Sequence, residues 1–243
     1  MKSIPQVPSH RNLDKPDISG YNGFRKGVHR MSKHKQEAVL FDLDGTLWNS
    51  AREVLLCWNQ VLAPLGRNIT PAEMDKLMGL TPQEIGDAQF PDLPPEERYA
   101  LTDRCLASED PYLYARGARL YPRVRETLRQ LKERYFIGLV SNCTEPYAQA
   151  FLHAHGLCAL FDDHETAGRT GLGKGENIAL LLKRNQIQKA VYVGDTAKDQ
   201  AAAEAAGVPF LYASWGFGDL EVVQPTAVVF SELPEAVSAV MDG

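Results

Sequence analysis

Short apolar runs alternate with stretches of helical period along most of the chain. Unbroken apolar runs at residues 38–41, 136–140, 190–193, 210–213 and 227–230 predict strands, because a strand buried on both faces of a parallel sheet needs no polar alternation. Between and before them, residues 122–133, 146–155, 176–185 and 198–206 show helical patterns. Strand and helix in turn predict a doubly wound parallel α/β sheet. The stretch from about residue 50 to 117 departs from this, with helical patterns at 52–62, 71–78 and 95–108 divided by Pro- and Gly-bearing turns. It predicts an all-helical insertion after the first strand. Residues 1–36 show neither period and mix Pro, Gly, Ser and Asn with lysines and arginines, the composition of a weakly structured basic arm. The expected organisation is an arm at 1–36, an α/β core built from 37–48 and 119–243, and a helical unit at 49–118.

Composition narrows the class of function. With 44% hydrophobic and 23% charged residues, the 243-residue chain can bury a sizeable core. The formal net charge of -5 gives it no overall attraction for nucleic acid or an anionic membrane. Cys57, Cys105, Cys143 and Cys158 follow no metal-ligand spacing, so reduced thiols are expected. No apolar stretch approaches the roughly 20 residues of a membrane helix, and no signal peptide is evident. A cytoplasmic protein without nucleic-acid or membrane partners is the expectation.

The chemistry lies where the predicted strands end, which is where open α/β sheets bind ligands. Phe41-Asp42-Leu43-Asp44-Gly45-Thr46 follows the first strand. Two carboxylates two positions apart face one crevice, one able to attack phosphorus and the other to protonate a leaving oxygen. The plain alternative is a strand-to-loop turn. Ser141-Asn142 follows the strand at 136–140, offering a hydroxyl and a backbone N–H for a phosphoryl oxygen, or merely a helix cap. Lys174, in Gly171-Leu172-Gly173-Lys174-Gly175, is either a phosphate-binding ammonium or a solvated loop lysine. Residues 168–174 also fit the phosphate loop of nucleotide-binding proteins, but Gly175 stands where a Ser or Thr is needed. Asp195 and Asp199 follow the strand at 190–193. Oxygen-rich sites of this kind suit Mg²⁺, although acids at a helix start also complement its dipole. His153, His155 and His164 with Asp162 and Asp163 match no common metal site and read as a surface helix end. Trp215, Gly216 and Gly218 read as a loop beside the site.

The order Asp-x-Asp, Ser, Lys, Asp-x-x-x-Asp along successive strands resembles the haloacid dehalogenase-like (HAD) superfamily, specifically its phosphatases of the phosphoglycolate phosphatase type. Asp42-Leu43-Asp44-Gly45-Thr46-Leu47, Gly194-Asp195-Thr196 with Asp199, and the Ala205-Ala206-Gly207 helix end carry the resemblance, which covers about 38–243. It implies a HAD-like Rossmannoid core and makes the helical unit a cap over the site. It implies that Asp42 is the nucleophile forming an aspartyl-phosphate and that Asp44 is the general acid and then base. Ser141 and Lys174 would complete the catalytic set, with Thr46 and Asn142 joining Asp42, Ser141 and Lys174 in phosphate binding. Mg²⁺ would be held by Asp42, the backbone carbonyl of Asp44, Asp195 and Asp199. Gly79-Leu80-Thr81-Pro82-Gln83-Glu84 resembles the substrate-contacting loop of the cap, while Trp48-Asn49 departs from the small residue and acid usual in relatives. The implied activity is Mg²⁺-dependent hydrolysis of a small phosphorylated metabolite. Alternatives are a phosphosugar mutase of the β-phosphoglucomutase type and a non-catalytic HAD-fold binding protein.

Overall fold

The computed structural model describes residues 35–218, 220–221, 225–227 and 229–242; the expectation for the arm up to His34 lies outside them. Six strands, β1 (Glu37–Phe41), β4 (Phe136–Ser141), β5 (Asp163–Thr166), β6 (Lys189–Gly194), β7 (Phe210–Ala213) and β8 (Thr226–Ala227), form one sheet in the order β5-β4-β1-β6-β7-β8. Every pairing in it is parallel. The central strands β1, β4 and β6 are the apolar runs, since both of their faces are covered. On one face Ala38, Leu40, Val140 and Tyr192 pack with Ile178 and Leu181 of α8 (Lys174–Arg184) and Ala202 and Ala203 of α9 (Ala197–Ala206). The other face is covered by α5 (Val124–Arg134) and α10 (Leu233–Asp242). Each fully buried aliphatic side chain there contributes roughly 1.5–3 kcal/mol.

The chain leaves this sheet through β2 (Trp48–Asn49) and returns through β3 (Arg119–Leu120), which pair antiparallel as Trp48 with Leu120 and Asn49 with Arg119. Between them run α1 (Ala51–Leu62), α2 (Pro71–Leu77), α3 (Pro82–Gln89) and α4 (Pro95–Arg116). Thr70 with Glu73 and Thr81 with Glu84 form capping boxes that start α2 and α3. The 22-residue α4 packs against α1, α3 and α6 (Glu145–Ala154). No helix among the described residues is long and apolar enough to cross a membrane.

Three expectations are corrected. Pro111 does not end its helix near Ser108: α4 continues to Arg116, because packing on both sides outweighs one lost backbone hydrogen bond. The last predicted strand, 227–230, is reduced to β8, and Phe230 begins a 3₁₀ turn, Phe230–Glu232, instead. His164 is not at a surface helix end but buried in β5, with Nε2 2.8 Å from Glu145 Oε1.

Candidate active site

Asp42 is the first residue beyond β1, and its N–H donates to Val193 O at 2.9 Å, which seats it at the end of the neighbouring strand. Gly45 turns the chain away with φ of 81°, and a Cβ there would fall 2.1 Å from Asp195 Oδ2, so glycine is required twice over. Asp195 follows β6; its Oδ1 accepts from Thr46 Oγ1 at 3.1 Å and its Oδ2 from Phe217 N–H at 2.7 Å. Gly218 lies so close that a Cβ would meet the Asp195 carbonyl at 1.8 Å. The loop carrying Trp215, Gly216 and Gly218 thus wraps Asp195, and Trp215 Nε1 donates to Thr46 O.

Lys174 opens α8 and is buried, not a solvated loop residue. Its Nζ lies 2.9 Å from Asp42 Oδ1 and 2.5 Å from Asp199 Oδ1. Burial alone would lower its pKa, but Asp199 and Asp42 outweigh that and hold it well above the usual lysine range. Asp199 Oδ2 accepts from Thr196 N–H and Oγ1–H in the capping box that opens α9, the helix-start role expected of it, while Oδ1 faces the lysine.

Asp42, Asp195 and Asp199 are buried and each offers an oxygen within 4.8 Å of the others. Two of the three, Asp42 and Asp199, pair with the ammonium of Lys174. Burial pushes Asp42 well above the usual carboxylate range, Lys174 opposes this, and Asp199 and Asp195 add to it. Asp195 is pushed up to about 7 by burial and by Asp199. A buried, oxygen-only donor set with a surplus of negative charge fits a hard divalent cation such as Mg²⁺.

Asp44 stands apart from that cluster. Its Oδ1 accepts from Trp48 Nε1–H, Ser50 Oγ–H and Tyr147 O–H, each at 2.8 Å. Its other oxygen takes no hydrogen bond among the described residues, and the residue lines a cavity beneath the α1–α4 helices together with Ser141. Burial raises the Asp44 pKa, and the three donors pull it back. Such a carboxyl, held by one oxygen and open at the other, is arranged to pass a proton.

The remaining expected residues are close by with part of their bonding already used. Ser141 ends β4, and its Oγ accepts from Cys143 N–H at 3.4 Å. Asn142 Nδ2 donates to Gly79 O, joining the core to the loop before α3. The Thr46 hydroxyl is turned to Asp195. Ser50, Tyr147 and Phe217 were not foreseen. No local pattern marks them, since Tyr147 reaches Asp44 across 103 positions of sequence.

A profile of haloacid dehalogenase-like hydrolases matches residues 39–213. A phosphoglycolate phosphatase of Xanthomonas campestris pv. campestris is 33% identical over 208 residues, 81% of this chain and 92% of that protein. The phosphoglycolate phosphatase of Aquifex aeolicus is 32% identical over 186 residues, 74% of this chain and 85% of its own. A haloacid dehalogenase-like family hydrolase of Streptococcus pneumoniae shares the fold, with a TM-score of 0.72 at 22% identity over 82% of this chain and 96% of that one.

Proposed function

The chain belongs to the haloacid dehalogenase-like hydrolase family, and from that premise we propose that it is a Mg²⁺-dependent phosphomonoesterase acting on a small phosphorylated metabolite through an aspartyl-phosphate. The observation that carries this reading is the division of labour at the end of β1. Asp42 sits in a charged cluster with Lys174, Asp195 and Asp199, while Asp44, two residues on, has one oxygen fixed and the other open to a cavity.

In this mechanism an Asp42 carboxylate oxygen attacks phosphorus, the bond to the leaving oxygen breaks, and that oxygen takes the proton of Asp44. Asp44, now a carboxylate, removes a proton from a water whose oxygen attacks the acyl phosphate. The bond between phosphorus and Asp42 breaks, inorganic phosphate leaves, and both acids regain their starting forms. Lys174 and the Ser141 hydroxyl hold the phosphoryl oxygens, with the Ser141–Asn142 turn and Thr46 keeping this wall in place. Asp42, Asp195, Asp199 and the Asp44 backbone carbonyl would hold Mg²⁺. When bound, the ion offsets the repulsion between Asp42 and a phosphate dianion.

Asp42→Asn keeps the shape of the side chain and removes the nucleophile. Phosphate release should fall by at least about 10³-fold while circular dichroism stays unchanged. Excess EDTA should silence the wild type and Mg²⁺ restore it. An active Asn variant, or full activity in EDTA, would remove Asp42 or the metal from the mechanism.

A further inference from the structure

On the phosphomonoesterase reading, the cavity beyond Asp44 is the space for whatever part of the substrate is not phosphate; its helical wall is largely apolar, while Ser141, Thr144 and Tyr147 line it from the core side. Val54, Met74, Leu77, Leu80, Ile85 and Leu106 supply apolar surface. No lysine, arginine or histidine lines it among the described residues. The guanidiniums of Arg67, in the loop before α2, and Arg98, in α4, are engaged elsewhere, with Asp92 and Asp87. The one ionisable group on the helical wall is an acid, Glu109 of α4, which is only 3% exposed. Its Oε2 accepts from Trp58 Nε1–H at 2.6 Å, and its other oxygen takes no hydrogen bond among the described residues. The cavity volume is about 50 Å³, room for roughly four water-sized groups at about 10–15 Å³ each.

An ionised carboxylate brought into such a space would lose its hydration, meet no cation and face a second acid. A group with a hydrogen to donate would instead satisfy the open oxygen of Glu109. We propose that the leaving group is a small alcohol bearing a hydrogen-bond donor, a hydroxyl or a protonated amine, and no carboxylate. The inference rests on the phosphomonoesterase reading and sets this chain's substrate apart from the phosphoglycolate named for its relatives. Burial pushes the Glu109 carboxyl well above its usual range, Trp58 opposes this, and Asp110 and Asp44 reinforce it.

Four phosphate esters of nearly equal size separate the possibilities: 2-hydroxyethyl phosphate, O-phosphoethanolamine, propyl phosphate and 2-phosphoglycolate. With Mg²⁺, kcat/KM for at least one of the first two should exceed that for 2-phosphoglycolate by about 10²-fold, and that for propyl phosphate by roughly 10-fold. The better of the two identifies the donor. Glu109→Gln should narrow the gap to 2-phosphoglycolate by at least about 10-fold. Equal or better turnover of 2-phosphoglycolate would overturn the proposal, as would propyl phosphate matching both donor esters. Calorimetric titration of Asp42→Asn with the same compounds reads the cavity without turnover. If wild type hydrolyses none of them but the variant keeps the binding order, the hydrolytic reading falls and the inference about the cavity stands. If 2-phosphoglycolate binds as tightly as the donor esters, the inference falls whatever the enzyme hydrolyses. Should Glu109→Gln fail to fold, the wild-type ranking and this titration decide.

Discussion

Among the three donors on Asp44 Oδ1, the Tyr147 hydroxyl opposes the effect of burial on the Asp44 pKa more than Ser50 or Trp48 does. Tyr147→Phe should therefore raise the Asp44 pKa further. A general acid works only while protonated, so the alkaline limb of the pH–kcat profile should move to higher pH. A lower kcat with an unmoved limb would reduce Tyr147 to packing. Lys174 carries a double expectation. Removing a preorganised charge partner costs about 10²- to 10³-fold in kcat. Because Lys174 is buried between Asp42 and Asp199, Lys174→Ala should also destabilise the metal-free protein by about 3–5 kcal/mol. Normal kcat, or an unchanged urea midpoint, would contradict the corresponding role. Asp42, Asp44, Ser141 and Asp195 are legible as candidates because they stand at the ends of apolar runs, Lys174 because it stands in a glycine turn, and Asp199 because it falls in the first turn of the helix that follows Asp195. The burial of Lys174 was not, since Asp42 and Asp199 approach it from 132 and 25 positions away.

At the scale of elements, the start of α6 is tied to β5 and α7 (Ala167–Thr170) through Glu145, which meets His164 Nε2, Thr166 Oγ1 and Arg169. Burial would raise the Glu145 pKa, but His164, Gln149 and Arg169 outweigh it and lower it to about 2. A carboxylate held below its unfolded value stabilises the fold above that value and loses the contribution as pH falls toward the folded one. Glu145→Gln should thus cost about 1–2 kcal/mol at pH 7, and the gap should close as pH falls from about 5 toward 2. Urea unfolding of both proteins between pH 7 and about pH 2.5 checks this; a gap indifferent to pH across that range would mean that the pairing of Glu145 adds nothing. β5 went unforeseen for a related reason. Its sequence, Asp163-His164-Glu165-Thr166, is polar, and its side chains are anchored by Arg169 and Arg184, so no apolar run announces it. The central strands β1, β4 and β6 were legible because burial on both faces demands apolar residues throughout. The eight residues of α3 carry too short an apolar pattern to predict a helix, although Thr81 and Glu84 mark its start.

For the whole molecule, the apolar and helical periods predict the doubly wound sheet and the insertion after its first strand. They are silent on how the inserted helices rest on the core, because those contacts join distant segments: Asn142 with Gly79, Lys198 with Glu84 at 2.5 Å, and α4 with α6. The chain's own connectivity then couples two jobs. Trp48 pairs through its backbone with Leu120 in the narrow neck that leads to and from the helices, while its indole N–H grips Asp44. Were the helices to swing about that neck, the movement would reach the acid through a lever one side chain long, and the door over the cavity and the proton behind it would keep a common clock.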